Sequence, residues 1–158
     1  MTIREAISDD AGFLSNLAMR SKAHWGYSTE FMEACVDELR VSSANIEKGD
    51  FHYVVAVIDE EVVGFYQLEG LSGDEIEMGA LFVDPDHIGT GVGKALIERA
   101  KRHAVNLGAS KLNIQGDPNA EKFYRSAGGA PTGSKESESI PGRFLPTFQI
   151  SLSNENVA

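Results

Sequence analysis

The segment Val83-Asp84-Pro85-Asp86-His87-Ile88-Gly89-Thr90-Gly91-Val92-Gly93-Lys94-Ala95-Leu96-Ile97 constrains this chain more than any other stretch. It reads as a strand end, a glycine-rich loop and the start of a helix. Gly89, Gly91 and Gly93 let the backbone bend tightly and turn successive N–H groups inward. The helix behind them begins with unpaired N–H donors at the positive end of its macrodipole. Such a junction is an anion site, suited to phosphates. A strand-to-helix turn with permissive glycines and no ligand is the plainer alternative.

Two phosphate loops can be tested against this segment. The dinucleotide fingerprint G-x-G-x-x-G needs glycine at 94, where the chain has Lys94. A Walker loop needs glycine at 88 and Ser or Thr after the lysine, but the residues are Ile88 and Ala95. What remains is G-x-G-x-G after a Val-Asp-Pro strand end. This resembles the pyrophosphate loop of the GNAT superfamily of N-acetyltransferases, which bind acetyl-CoA. The family pattern Gln/Arg-x-x-Gly-x-Gly/Ala is met by Ile88-Gly89-Thr90-Gly91-Val92-Gly93, except at Ile88. That departure removes one side-chain contact and leaves the backbone cradle.

At 158 residues, with 42% hydrophobic and 24% charged residues, the chain has the size and composition of one globular domain spanning 1–158. It has neither an N-terminal apolar signal region nor an apolar run of bilayer length, so a cytoplasmic location is expected, without a membrane partner. Cys35 is the single cysteine, which rules out an intrachain disulfide and places a packing thiol on a helix face. A net charge of −10 argues against a nucleic-acid partner and suits a cationic or amine substrate. Lys94, Arg99 and Lys122 still offer local positive charge for phosphates. The histidines at 24, 52, 87 and 103 lack metal-ligand spacing, so no metal is expected.

Along the chain, Thr2 to Ala6 reads as a strand. A helix follows, with Ser8 as N-cap and Phe13, Leu14, Leu17 and Ala18 at helical spacing. A second helix starts after Ser28, with Phe31, Met32, Cys35, Val36 and Leu39 on one face. Phe51 to Ile58 and Val62 to Leu68 form a hairpin about Asp59-Glu60-Glu61. Glu75 to Val83 leads into the glycine loop, and Gly79 suits a bulge or a close backbone approach. The helix from Val92 carries its apolar stripe to Leu107 and stops at Gly108. Lys111 to Ile114 is a strand, Pro118 opens a helix that ends near Gly128, and Phe144 to Leu152 is a closing strand. Ser134 to Ser139 is a loop or an exposed edge strand. This order resembles the GNAT arrangement. It implies an α/β (α+β) fold: a mixed, mostly antiparallel central sheet flanked by helices, with the cofactor loop between a strand and the central helix.

A second motif strengthens the resemblance. Asp117-Pro118-Asn119-Ala120-Glu121-Lys122-Phe123-Tyr124-Arg125-Ser126-Ala127-Gly128 is similar to the family signature Asn-Ala-x-x-Phe-Tyr before a glycine, with Gly129 where phenylalanine is common. Ala120, Phe123, Tyr124 and Ala127 share a helix face, so Tyr124 points into the core or a cleft. The resemblance makes Tyr124 the general acid to the leaving thiolate; a packing tyrosine is the alternative. By the same resemblance, the strand Leu81-Phe82-Val83 presents backbone N–H groups to the pantetheine. Ile88 to Lys94 hold the pyrophosphate, and Asn119, Lys122 and Phe123 border the cofactor. Glu77, which matches the glutamate of the strand pattern Glu-Leu-x-x-Leu-x-Val with Met78 at its second position, is the candidate base, directly or through a water, with Glu75 in reserve on the same face if no bulge intervenes. A solvent-facing strand carboxylate remains the alternative for Glu77.

His24, Trp25 and Tyr27 lie between the first two helices, where the family builds part of the acceptor wall; they equally suit a staple between helices and core. Arg143, with Pro141, Gly142 and Pro146, marks a shaped turn bordering the acceptor site. The reading that follows is an N-acetyltransferase moving the acetyl group of acetyl-CoA to a small-molecule primary amine by direct attack. A protein lysine or N-terminal acceptor, and a CoA-binding sensor without turnover, stand as alternatives. Edge pairing through the C-terminal strands would permit a homodimer.

Overall fold

The computed structural model describes residues 1–153, which form strands β1 (Thr2–Glu5), β2 (Phe51–Ile58), β3 (Glu61–Glu69), β4 (Glu75–Val83), β5 (Lys111–Gln115), β6 (Ala130–Glu136) and β7 (Phe144–Ser151). Among the described residues these make one seven-stranded sheet in the order β1-β2-β3-β4-β5-β7-β6. Every pairing is antiparallel except β4 with β5. The β2–β3 turn is the two-residue type expected for tightly twisted hairpins, with positive φ at Asp59 and Glu60.

Helices cover both faces. On one lie α1 (Ala11–Ala23), α2 (Thr29–Ala34), α3 (Val36–Leu39) and α4 (Ser43–Glu47). Leu14, Leu17, Ala18, Met32, Cys35 and Leu39 pack there against Val55 and Phe65 of the sheet. On the other face α5 (Val92–Asn106) and α6 (Glu121–Ser126) bury Val92, Leu96, Ile97, Ala100, Ala104 and Tyr124 against Tyr66, Leu68, Ile76 and Leu112. Each fully buried leucine of these layers contributes about 1.5–3 kcal/mol.

Three local readings change. The first helix begins at Ala11, after a 3-10 turn over Ser8–Asp10. The Asp10 carboxylate accepts from the Ile7 N–H at 2.8 Å and pairs with Arg4 at 2.9 Å, so Asp10, not Ser8, organises this entry. Phe13 points outward, at the edge of the apolar spacing rather than on it. The second helix starts where expected, with Ser28 Oγ accepting from Phe31 N, but it breaks at Cys35 into α2 and α3, and a separate short helix, α4, follows. Met32, Cys35 and Leu39 hold the buried side, whereas Val36 is exposed. The polar segment at 134–139, expected as a loop or an exposed edge strand, is both: 134–136 end β6, an edge strand that starts at Ala130 and is exposed throughout, and 137–139 belong to the loop that follows. β7 lies inside the sheet, between β5 and β6.

The feature that positions everything else is where β4 leaves β5. Their parallel pairing runs only from Glu75–Lys111 to Met78–Ile114. β5 ends at Gln115, while β4 continues to Val83. Gly79 is the extra residue of a bulge: Gln67 pairs with Ala80 and Leu68 with Met78. A Cβ there would stand 2.0 Å from Gln67 Oε1, the close approach anticipated at this glycine.

Candidate functional site

Two clefts open on either side of the parted strands. Gly79, Ala80, Phe82 and Gln115 line both of them.

The first cleft, of about 450 Å³, lies between β4 and the glycine loop. It brings together Leu81, Phe82, Val83, Ile88, Gly89, Gly91, Gly93, Lys94, Asn119, Phe123 and Tyr124 from the residues singled out in the sequence. Gly89 and Gly91 have φ of 81° and 93°, and Gly91 is the residue from which α5 starts. Arg20 of α1 grips Asp84 at 2.6 Å just before the loop. Burial works to raise the Asp84 carboxyl, but the Asp86 N–H and the Arg20 guanidinium prevail and hold it below its usual range.

Three residues expected at this cofactor region do not line the cleft. The Val92 side chain is core. Thr90 turns its hydroxyl back onto the His87 carbonyl. Lys122 stands exposed on the outer side of α6. Phe123 and Tyr124 project from the opposite side of that short helix, into the cleft.

Tyr124 is 5% exposed. Burial first, and the nearby Asp117 charge second, push its phenol well above the ordinary value, so its proton stays on at neutral pH. Its ring packs between Phe123 and Phe148, with centroids at 5.2 and 5.7 Å. Gly116 makes room for it: a Cβ there would stand 2.9 and 3.0 Å from two ring carbons. At Gly129 a Cβ would come within 2.8 Å of the Tyr124 carbonyl oxygen. That glycine therefore fits the way this helix ends.

The second cleft, of about 860 Å³, is floored by the sheet on the α1 side. Its polar floor is a cross-strand row. Glu69 of β3 pairs with Glu77 of β4, Glu77 with Asn113 of β5, and Asn113 with Gln149 of β7. Asn113 Nδ2 donates to Glu77 at 3.2 Å and to Glu75 at 3.1 Å. Gln149 Nε2 donates to Glu75 at 3.1 Å and to Asn113 Oδ1 at 2.9 Å. Glu75 and Glu77 thus share one face, and the bulge comes only after them. Glu38 and Glu138 add carboxylates at the walls, while Lys135 and Arg40 are the cations. Like charges set directly opposite, as Glu69 and Glu77 are, oppose sheet pairing unless a cation joins them.

The proposed acceptor wall is redistributed. Trp25, 43% exposed, stands at the first cleft. His24 packs edge-on against it at 5.2 Å and lines neither cleft. Tyr27 also lines neither; its hydroxyl donates to Asp117 Oδ2 at 2.7 Å and accepts from Arg143 at 2.8 Å. Lys22, Gln115 and Asp117 line the first cleft without having been singled out in the sequence. Their roles come from contacts across some 90 residues, as with Lys22–Asp117 at 3.3 Å, and no local pattern carries that signal. Among the described residues no group of three or more His, Cys, Asp or Glu is placed to hold a metal, and no helix is long and apolar enough to cross a membrane.

Comparison with known proteins agrees with this geometry. The family model described as acetyltransferase (GNAT) domain matches residues 14–139. The peptidyl-lysine N-acetyltransferase YjaB of Salmonella typhimurium is 40% identical over 97 residues, which is 61% of this chain and 61% of that protein. The chain therefore matches about three fifths of the length of this curated relative. A GCN5-related N-acetyltransferase from Rhodopseudomonas palustris superposes with a TM-score of 0.77 at 26% identity, covering 96% of this chain and 95% of its own. The PaiA N-acetyltransferase of Thermoplasma acidophilum, solved with coenzyme A, shares the fold at 19% identity and a TM-score of 0.74, over 95% of this chain and 98% of its own.

Proposed function

The chain belongs to the GNAT acetyltransferase family, and from that premise we propose that it transfers the acetyl group of acetyl-CoA to the side-chain amine of a protein lysine. The first cleft is the donor site. Its chemistry fits acetyl-CoA: glycine-loop N–H groups and Lys94 for the pyrophosphate, apolar Leu81, Val83 and Phe123 for the arm, and an unpaired stretch of β4 backbone for its amides. The second cleft is the acceptor site, with acid and base on opposite sides of β4.

The chemistry follows from that division. The lysine amine reaches the thioester where the two clefts share Gly79 and Ala80. Nitrogen forms a bond to the carbonyl carbon, and the negative charge passes to oxygen, stabilised by β4 backbone N–H groups. The ammonium first gives one proton to solvent, so that the neutral amine attacks, and Glu77 takes the second proton as the bond forms, directly or through a water. The carbon–sulfur bond then breaks, and the Tyr124 phenol gives its proton to the departing thiolate.

The observation that carries the lysine reading is the carboxylate floor of the acceptor cleft, which favours a cationic side chain, in a cleft nearly twice the volume of the donor site. The peptidyl-lysine relative supports it over the small-molecule amine that the sequence alone favours. Tyr124 in the donor cleft speaks against a sensor without turnover.

Incubation with acetyl-CoA and matched panels of lysine peptides, folded proteins and small amines, followed by thiol release and mass spectrometry, tests it. Acetyl-lysine in peptides or proteins is the expected product. Turnover confined to small amines returns the acceptor to that class, and binding without turnover in any panel favours the sensor.

A further inference from the structure

One polar cluster stands at the edge of the donor cleft, and the acetyltransfer chemistry leaves it unused. Asp117 follows β5 and caps the 3-10 turn over Pro118–Ala120. Its Oδ1 accepts from Asn119 N at 2.9 Å and from Asn119 Nδ2 at 2.8 Å. Its Oδ2 takes the Tyr27 hydroxyl at 2.7 Å, with Lys22 Nζ at 3.3 Å and Arg143 Nη2 at 3.6 Å. Burial alone would raise this carboxyl. The Asn119 N–H, the Tyr27 hydroxyl and the Lys22 charge outweigh it, and Asp117 stays ionised below its usual range. The Tyr27 phenol is pushed up to about 12, first by burial and then by Asp117, so it remains a donor.

Arg143 enters from the connection between β6 and β7. It donates to the Tyr27 hydroxyl at 2.8 Å and lies over the stacked rings of Tyr27 and Phe31, 5.2 and 4.8 Å from their centroids. The connection itself is tightly bonded. Ser137 N donates to the Arg143 carbonyl at 2.7 Å, and Ser137 Oγ accepts from Ser139 N and Ile140 N. Ser139 donates to Glu38 of α3, and Glu138 lines the acceptor cleft. The 137–143 loop is thus held at two points: the α3 end beside the acceptor, and the Tyr27–Asp117 pair beside the donor.

We propose that Arg143 is a positioning residue: through Tyr27 and Asp117 it seats the 137–143 loop on the donor-side floor, so that this loop forms a fixed wall of the lysine acceptor cleft. A planar fork that hydrogen-bonds a phenol and stacks on two rings holds orientation as well as charge. The residue touches neither reacting group; its effect falls on acceptor binding.

This inference rests on the acetyltransfer reading for its kinetic arm, and amide hydrogen exchange supplies an arm that does not. In Arg143→Met, exchange across residues 137–143 is expected to accelerate about tenfold or more, with β5 and α5 protected as in the parent. In the same variant the KM for a lysine peptide rises about tenfold, the loss expected for one charge-assisted bond, while kcat and acetyl-CoA affinity stay within about threefold. Arg143→Lys keeps a cation over the rings, recovers part of the acceptor KM, and stands in where the Met variant fails to fold. Unchanged loop exchange overturns the proposal. So does an equal loss in kcat and both KM values, which marks general destabilisation. If the parent transfers no acetyl group to any acceptor, the acetyltransfer reading fails, and accelerated exchange still establishes Arg143 as the anchor of the loop.

Discussion

The two clefts on either side of β4 are made of different material. The donor cleft is backbone, glycine and apolar surface, drawn largely from two continuous stretches, residues 79–94 and 115–124. The acceptor cleft is side chains: carboxylates and amides delivered by β3, β4, β5, β7 and the α3–α4 region. A ligand held by backbone imposes a local sequence pattern. A ligand held by side chains from many strands imposes only a pattern of register, and charge can be redistributed along it without disturbing the fold. The donor side is therefore tied to its local sequence, while the acceptor face depends on register alone.

The sharpest way to break this division is Tyr124→Phe. It removes the proposed acid and leaves the cleft shape, so kcat should fall by about 10²–10⁴ while the acetyl-CoA Kd, read by calorimetry, moves less than about threefold. Unchanged turnover would sink the acid assignment. On the acceptor side, Glu77→Gln should lower kcat/KM by about a hundredfold and flatten the acidic limb of the pH–rate profile, with Glu75→Gln costing less than about tenfold. A larger loss at Glu75 moves the base two residues along the strand. Gly116→Ala tests the donor side without replacing a reacting group. The added methyl meets the Tyr124 ring at 2.9 Å, and kcat should drop about tenfold through misplacement of the phenol.

The smallest effect belongs to neither cleft and serves as a control. His103 of α5 bonds Tyr66 at 2.8 Å and His52 at 2.9 Å. Burial first, then the charges of His52 and Arg99, lower its proton affinity in the fold. The unfolded chain then binds the extra proton more readily. Stability is full above about pH 6.5 and declines as pH falls below it. Denaturant melts across that window should show this slope in the parent and lose it in His103→Gln, with transfer kinetics at neutral pH unaltered.

The donor side was legible because its chemistry is local. Gly89-Thr90-Gly91-Val92-Gly93 and Asn119 to Tyr124 are short motifs, and the strand before the loop announced itself by β-branched and aromatic residues. Even there, helix phase misled: Lys122 shares the motif but faces away from Tyr124. On the acceptor side, Glu77 and Glu75 could be paired by strand parity, yet their partners Asn113 and Gln149 depend on which strands become neighbours. Trp25 and Tyr27 were expected together in an acceptor wall, but the Tyr27 hydroxyl is held by Asp117 and Arg143, 90 and 116 positions away. The break of the second helix into two pieces left no periodic signature, because Met32, Cys35 and Leu39 keep helical spacing across it.

The short register between β4 and β5 has a mechanical consequence. Only four residue pairs, Glu75–Lys111 to Met78–Ile114, form the backbone ladder between the four-stranded portion of the sheet and the three-stranded portion. Such a seam is the natural line along which a sheet ruptures, and here a ligand bridging Val83 and Asn119 straddles it. Acetyl-CoA bound as proposed would act as a rivet, and its occupancy is expected to raise the melting temperature with the logarithm of its concentration.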